Sequence, residues 1–241
     1  MIQYTLSNKY VANEELNFIL MKSSTLTQQA LDRYYEHLNE MQRQAVFSIH
    51  GPLLILAGAG SGKTTVLINR IDYMIRFGNA YFGNVSKNFT KKEQAYLNHY
   101  INTGEGSDEK LQKILAYNPI EPWKVLAITF TNKAADELKE RLENRLGDTA
   151  LSIQASTFHS LCVRILRREI PLMGYDASFT IYDTDDSLRI VRDGIKANQL
   201  SEKILPARSV LTAISRAKDD LTTPEELYEK AAGDYRAECI A

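Results

Sequence analysis

Four consecutive apolar residues, Leu53-Leu54-Ile55-Leu56, lead into a glycine-bearing polar stretch. Apolar positions at Val66, Leu67, Ile71 and Ile75 come next at helical spacing. An unbroken apolar run of this length reads as a short buried strand, and the 3.6-residue recurrence after it as a helix. The pattern returns at Trp123–Phe130, a second strand. It runs into a helix with Ala134, Leu138, Leu142 and Leu146 on one face that stops at Gly147. A third strand is expected at Ala150–Ser156, with a helix through Leu161, Ile165 and Leu166 that ends near Pro171. Strand–helix units repeated in this order predict an α/β fold, a parallel sheet flanked by helices. Ligands of such sheets bind at the carboxyl ends of the strands. Lys63, Thr131 and His159 each come just after a strand end, so one rim is expected to carry all three.

The remaining segments have weaker patterns. Residues 1–37 hold two weakly amphipathic stretches, Asn13–Met21 and Thr27–His37, and are expected to form an N-terminal helical extension. Asn39 suits the cap of a helix beginning at Glu40. The helix after Thr64 is expected to run to about Phe77 and end near Gly78. Residues 78–122 are irregular, with helical pieces expected at Lys92–Ile101 and Asp108–Ala116 and a flexible turn at Gly104–Ser107. Pro119 and Pro122 break the chain before the second strand. Beyond Pro171 a short strand is expected at Phe179–Tyr182, with Asp183 capping the start of the next helix. Helices are expected at Ser187–Asn198, Ala207–Asp219 and Pro224–Ala232. Ala241 falls inside a helical-looking stretch, which reads as a chain cut short.

Composition narrows the class. The chain has 241 residues, 44% apolar and 24% charged, the balance of an ordinary globular protein. A net charge of −1 gives no global basic footprint, so contact with nucleic acid must be local. Two cysteines, Cys162 and Cys239, without CxxC spacing argue against a disulfide scaffold or zinc site. No apolar run reaches membrane-spanning length, and Met1-Ile2-Gln3-Tyr4 lacks the form of a signal peptide. A cytoplasmic protein without a membrane partner is the expectation.

The candidate chemistry begins at Ala57-Gly58-Ala59-Gly60-Ser61-Gly62-Lys63-Thr64-Thr65. Glycines at a strand-to-helix turn let backbone N–H groups converge on polyphosphate oxygens together with the helix N-terminus. Lys63 is placed to neutralise β and γ phosphates and the Thr64 hydroxyl to ligate Mg²⁺. The pattern G-x-x-x-x-G-K-[ST] departs at its first glycine, which is Ala57 here. Gln42, fifteen residues earlier, offers an amide that matches the N6/N7 edge of adenine.

In order, LNEMQRQAV, AGAGSGKTT, ITFTNKAADEL and STFHSL resemble the superfamily 1 DNA helicases of the UvrD/Rep/PcrA type, from residue 38 to about 220 except for 78–122. The resemblance implies ATP and Mg²⁺ as cofactors, a RecA-like P-loop domain, and the beginning of an all-helical 1B-type subdomain. The division it suggests is 1–37 extension, 38–168 partial RecA-like domain interrupted at about 78–122, and 169–241 partial helical subdomain. It places single-stranded-DNA contacts on Thr129–Ala135 and Ser156–Ser160. Phe130 can stack on an unpaired base, with packing in the core as its other reading; Phe158 reads more readily as core. Thr131, Asn132, Thr157 and His159 can donate to phosphates, and Lys133 adds charge.

The family's later Asp-Glu pair and arginines do not occur in these residues, and Asp183 reads as a helix cap. The chain alone is therefore expected to bind nucleotide weakly and hydrolyse little. The reading is the N-terminal portion of a 3′–5′ DNA helicase acting on single strands and single-strand/duplex junctions. The alternatives are a non-hydrolysing ATP/DNA-binding module and a P-loop small-molecule kinase.

Overall fold

The computed structural model describes residues 3–4, 25–58, 60–83, 87–234 and 240. The helix expected at Asn13–Met21 lies outside them. The chain divides into two compact units, Met1–Arg164 and Ile165–Ala241.

In the first unit, helix starts obey local capping chemistry. Helix α1 (Leu26–Tyr34) opens at Thr25, whose side chain accepts from the Gln28 N–H while the Gln28 side chain accepts from the Thr25 N–H. Helix α2 (Glu40–Phe47) opens in the same way on Asn39 and Gln42. Each reciprocal pair satisfies two backbone donors that the first turn leaves without partners. Strand β2 (Ile55–Leu56) leads to helix α3 (Lys63–Arg76). A short helix α4 (Ala80–Gly83) opens the segment 78–122, and helices α5 (Lys91–Thr103) and α6 (Asp108–Leu115) form where helical pieces were expected in it. Strand β3 (Leu126–Thr129), helix α7 (Asn132–Leu146), strand β4 (Gln154–Thr157) and helix α8 (Phe158–Glu169) complete the series, α8 running on into the second unit.

Helix α3 lies between two apolar clusters. One face sends Val66 and Tyr73 into a cluster with Leu31, Tyr35, Val46, Phe47, Leu97, Leu111 and Leu115. The other sends Ile68, Ile71 and Ile75 against Val125, Ala127, Leu138, Leu142 and Ala155. The segment 78–122 is thus folded against the phosphate-loop helix, not a loose connection. It leaves at Gly78 (φ +64°) and returns at Tyr117, which bridges Gly78 in parallel. A Cβ on Gly78 would lie 2.2 Å from the Tyr117 carbonyl oxygen, so only glycine fits there. Residues 26–38 share the same core: Ala30, Leu31, Tyr35 and Leu38 are all buried.

The sheet is smaller than the pattern predicts. Among the described residues, β3 and β4 pair in parallel from Leu126–Gln154 to Thr129–Thr157. Strand β2 pairs instead with β1 (Gln3–Tyr4), antiparallel. The expected strand Leu53–Leu56 shrinks to two residues, with Leu54 and Leu56 57% and 49% exposed. A buried parallel strand needs neighbours on both edges and cover on both faces, which β2 lacks among the described residues. Among its described residues the first unit is mostly helical, with a two-stranded parallel sheet and a two-stranded antiparallel pair.

The second unit continues with helices α9 (Thr184–Ala197), α10 (Ala207–Asp219) and α11 (Pro224–Ala231). Leu188 and Ile195 of α9 pack on Leu205, Ala207 and Val210. Asp183 caps α9, accepting from the Asp186 N–H at 2.8 Å. The strand expected at Phe179–Tyr182 does not form; Ile181 and Tyr182 are exposed there, with no strand to pair against among the described residues. Among the described residues, no helix is long and apolar enough to cross a membrane.

Candidate functional site

The turn between β2 and α3 is glycine-rich and leads directly into the helix. Gly60 (φ +75°) and Gly62 (φ +83°) take the left-handed conformation that a side chain resists. Gly62 is the N-cap of α3 and supplies no side-chain cap, so the first N–H groups of α3 are left without one. A helix N-terminus in this state favours negative charge. A Cβ added to Gly58 or Gly60 would meet nothing within 4 Å, so the loop borders open space. Lys63 is exposed, and its Nζ donates to the carbonyls of Ala57 (2.8 Å) and Gly58 (2.7 Å). Ser61 Oγ donates to the Gly58 carbonyl at 2.7 Å. Thr64 is exposed and Thr65 half-buried; Ala59 lies outside the described residues.

Gln42 reaches this loop from α2. Its Oε1 accepts from the Asn39 N–H (3.1 Å) and its Nε2 donates to the Ser61 carbonyl (3.3 Å). The amide sought as an adenine reader therefore touches the phosphate loop itself.

The second part of the site lies past the ends of β3 and β4. Because those strands are parallel and in register, the residues just beyond them are neighbours. Phe130 is 89% exposed, Phe158 is 48% exposed, and their ring centroids stand 5.5 Å apart at 43°. The core readings of Phe130 and Phe158 fail for one reason: each ring lies beyond the last strand residue that packs inward. Thr131 caps α7, its Oγ1 accepting from the Ala134 N–H (3.2 Å), and Thr129 Oγ1 donates to the Thr131 carbonyl (3.1 Å). Thr131, Asn132, Lys133 and His159 are exposed. Thr157 is buried, and its Oγ1 accepts from the Ser160 N–H and shares a 2.9 Å contact with Ser160 Oγ. Its hydroxyl serves the start of α8. Arg164 Nη2 donates to Ser156 Oγ at 3.1 Å, which adds a guanidinium beside this edge.

One group escaped the sequence reading. Asp72, fully buried on α3, accepts from Tyr35 OH (2.7 Å), Arg76 Nε (2.7 Å) and Arg145 Nη2 (3.2 Å). Burial is the largest influence on Arg76 and Arg145 and works to lower their pKa values, but the Asp72 charge, the Tyr34 hydroxyl and the hydrogen bonds to Asp72 together outweigh it, and both end above the ordinary arginine value. Burial first, then the Asp72 charge, holds the Tyr35 hydroxyl well above the tyrosine range. A lone acidic residue inside the apolar repeat of α3, with Arg76 four positions on, was the available signal.

A glycine-rich strand-to-helix turn with Lys-Thr at the helix start has the pattern of the P-loop class. The family model described as UvrD/REP helicase N-terminal domain matches residues 38–104 and 108–241. The chain therefore belongs to the UvrD/REP helicase family, through its N-terminal domain. It is 41% identical over 204 residues to the ATP-dependent DNA helicase PcrA of Bacillus subtilis (strain 168), covering 85% of this chain and 22% of that protein. Identity to PcrA of Staphylococcus aureus (strain Mu50 / ATCC 700699) is 39% over 205 residues, with the same coverage. Identity to PcrA of Staphylococcus epidermidis is 37% over 206 residues, 86% of this chain and 23% of that protein. The chain thus spans less than a quarter of the length of these relatives.

Proposed function

We propose that this chain is the nucleotide- and single-stranded-DNA-binding N-terminal portion of an ATP-dependent DNA helicase. The observation that carries the reading is the start of α3: left-handed glycines at 60 and 62 lead into an exposed Lys63 and Thr64 with no side chain capping the helix. In this reading residues 38–168 form part of a RecA-like domain, with 78–122 inserted and 1–37 as an extension. Residues 169–241 begin a helical subdomain of 1B type.

The donor set suits a nucleoside triphosphate with Mg²⁺. Lys63 now satisfies its charge on two neutral carbonyls, which it can exchange for phosphate oxygens at little cost. The backbone of Gly58 through Thr65 cradles phosphate, and the Thr64 hydroxyl offers one oxygen to the cation, whose other ligands are phosphate oxygens and water. Mg²⁺, when bound, neutralises polyphosphate charge. Gln42 orients the loop and reads adenine from the same position.

The exposed pair Phe130 and Phe158 takes the faces of unpaired bases irrespective of sequence. Thr131, Asn132, Lys133 and His159 hold the phosphates around them, and Arg164 adds local charge that the net composition lacks. Single strands and single-strand/duplex junctions are the partners in this reading, and the cytoplasm the compartment.

The test uses the 241-residue chain and its Lys63→Ala variant with a fluorescent ATP analogue and labelled oligo-dT at several salt concentrations. Nucleotide binding is expected to fall in the variant, while oligo-dT affinity persists and drops steeply with salt. Absence of oligo-dT binding, or phosphoryl transfer to a small metabolite, overturns the reading in favour of a kinase.

A further inference from the structure

We propose that Asp72 is a positioning residue through which the nucleotide loop and the Phe130 loop sense each other. The inference rests on the preceding reading of the ligands of those loops. Helix α3 starts at the phosphate loop, and Asp72 lies about 14 Å along it at about 1.5 Å per residue. Helix α7 starts directly behind Phe130 and Thr131, and Arg145 lies about 20 Å along it by the same rise. Apolar residues of both helices meet in one cluster, Ile68 and Ile71 with Leu138 and Leu142. Contacts of that kind are non-directional and tolerate small sliding.

The cluster around Asp72 is directional. Asp72 Oδ2 accepts from both Tyr35 OH and Arg145 Nη2, and Oδ1 accepts from Arg76 Nε. Arg76 Nη2 donates to the Arg145 carbonyl at 3.0 Å, so α3 grips the last turn of α7 twice. Arg76 also faces Asp108 at the start of α6 (3.6 Å), and Tyr34 OH donates to the same carboxylate (2.8 Å). The Arg145 guanidinium stands 5.4 Å from the Tyr34 ring centre. Two carboxylates and two guanidiniums balance in charge, and four helices converge on one arrangement. Buried polar groups of this kind set register more than they add stability. A shift of α3, when phosphate draws Lys63 away from Ala57 and Gly58, is thereby carried to α7 instead of being absorbed by slippage. The same connection places the segment 78–122 and helix α1 as braces on the link.

The experiment measures oligo-dT affinity of the 241-residue chain with and without saturating Mg²⁺ and a non-hydrolysable ATP analogue. Coupled sites change each other's affinity by about 5- to 150-fold. In Asp72→Asn that ratio is expected to fall below about 2-fold, with each ligand still bound alone. Because Asp72→Asn leaves arginines without their partner, the apolar double variant Asp72→Leu/Arg145→Leu is measured alongside. Loss of the ratio in the double variant, still folded at the temperature of the titration and binding each ligand alone, supports the proposal. A wild-type ratio retained in either folded variant overturns it, as does failure of both to fold, which assigns the cluster to stability alone. A wild-type chain that binds both ligands with no ratio overturns the coupling and leaves the proposed function standing. A wild-type chain that binds neither overturns both.

Discussion

The Gln42 side chain stands against Gly62: a Cβ on that glycine would lie 2.8 Å from Gln42 Nε2, the atom that donates to Ser61. The phosphate loop is therefore closed from behind by a residue of α2. The left-handed backbone at φ +83° strains any side chain at this position, and a Cβ there would push the Gln42 amide away from Ser61.

For Gly62→Ala the left-handed backbone costs about 1–2 kcal/mol. The loop is expected to lose nucleotide affinity by more than about 10-fold while α3 persists. Gln42→Ala in the same chain is expected to relieve the clash and leave the backbone strain. Nucleotide titration with thermal melts of the wild type and the two variants checks this.

Phe130→Ala is expected to leave stability within about 0.5 kcal/mol of wild type, because an 89% exposed ring packs little. Its oligo-dT affinity is expected to fall by about 1–3 kcal/mol, the contribution of one stacked base. Fluorescence anisotropy against melting temperature separates the two effects. A large fall in stability would place the ring in the core after all.

Asp72→Ala removes the shared partner of two arginines from a fully buried position. The expected loss is about 3–5 kcal/mol, the usual effect of breaking a buried pair on one side. Asp72→Leu/Arg145→Leu should recover part of it, because Arg76 keeps Asp108 and the carbonyl of position 145 while the Tyr35 hydroxyl stays without its acceptor. Denaturant unfolding of both variants gives the comparison.

Stability is expected to fall as pH rises above about 10, the ordinary tyrosine value at which the unfolded chain loses its phenolic protons. Burial leads the rise of Tyr35 well above that value, and burial also leads the rises of Tyr34 and Tyr73. The folded state thus keeps protons that the unfolded state releases. The stability they confer is complete below a pH of about 10 and is lost as pH climbs toward the raised folded values. Chemical denaturation at several alkaline pH values measures the slope, and Tyr35→Phe is expected to reduce it.

Much of this protein is local and was legible as such. Asn39 and Asp183 start helices because each side chain can reach a backbone N–H three residues on. The turn before α3 was legible because its left-handed glycines and the helix start are written in consecutive residues, Gly60 to Thr64. Phe130 was ambiguous, since an aromatic at the end of an apolar run can close the strand inward or overhang it. Only the parallel pairing of β3 with β4 decided that it overhangs beside Phe158. The strand at Leu53–Leu56 was over-read, because an apolar run reports what a segment can bury and not which neighbours arrive to bury it.

The sequence by itself determined most of the helices and the glycine-rich turn before α3, since capping, helical period and glycine conformation act over a few residues. The tertiary structure decided the rest: the fold of 78–122 against α3, the grip of Gln42 on Ser61, and the burial of Asp72 among Tyr35, Arg76 and Arg145. Those depend on residues 37 and 73 positions away from Asp72, respectively for Tyr35 and Arg145. A carboxylate on a helix carries no mark of whether water or two guanidiniums will face it until the packing of distant elements removes the water.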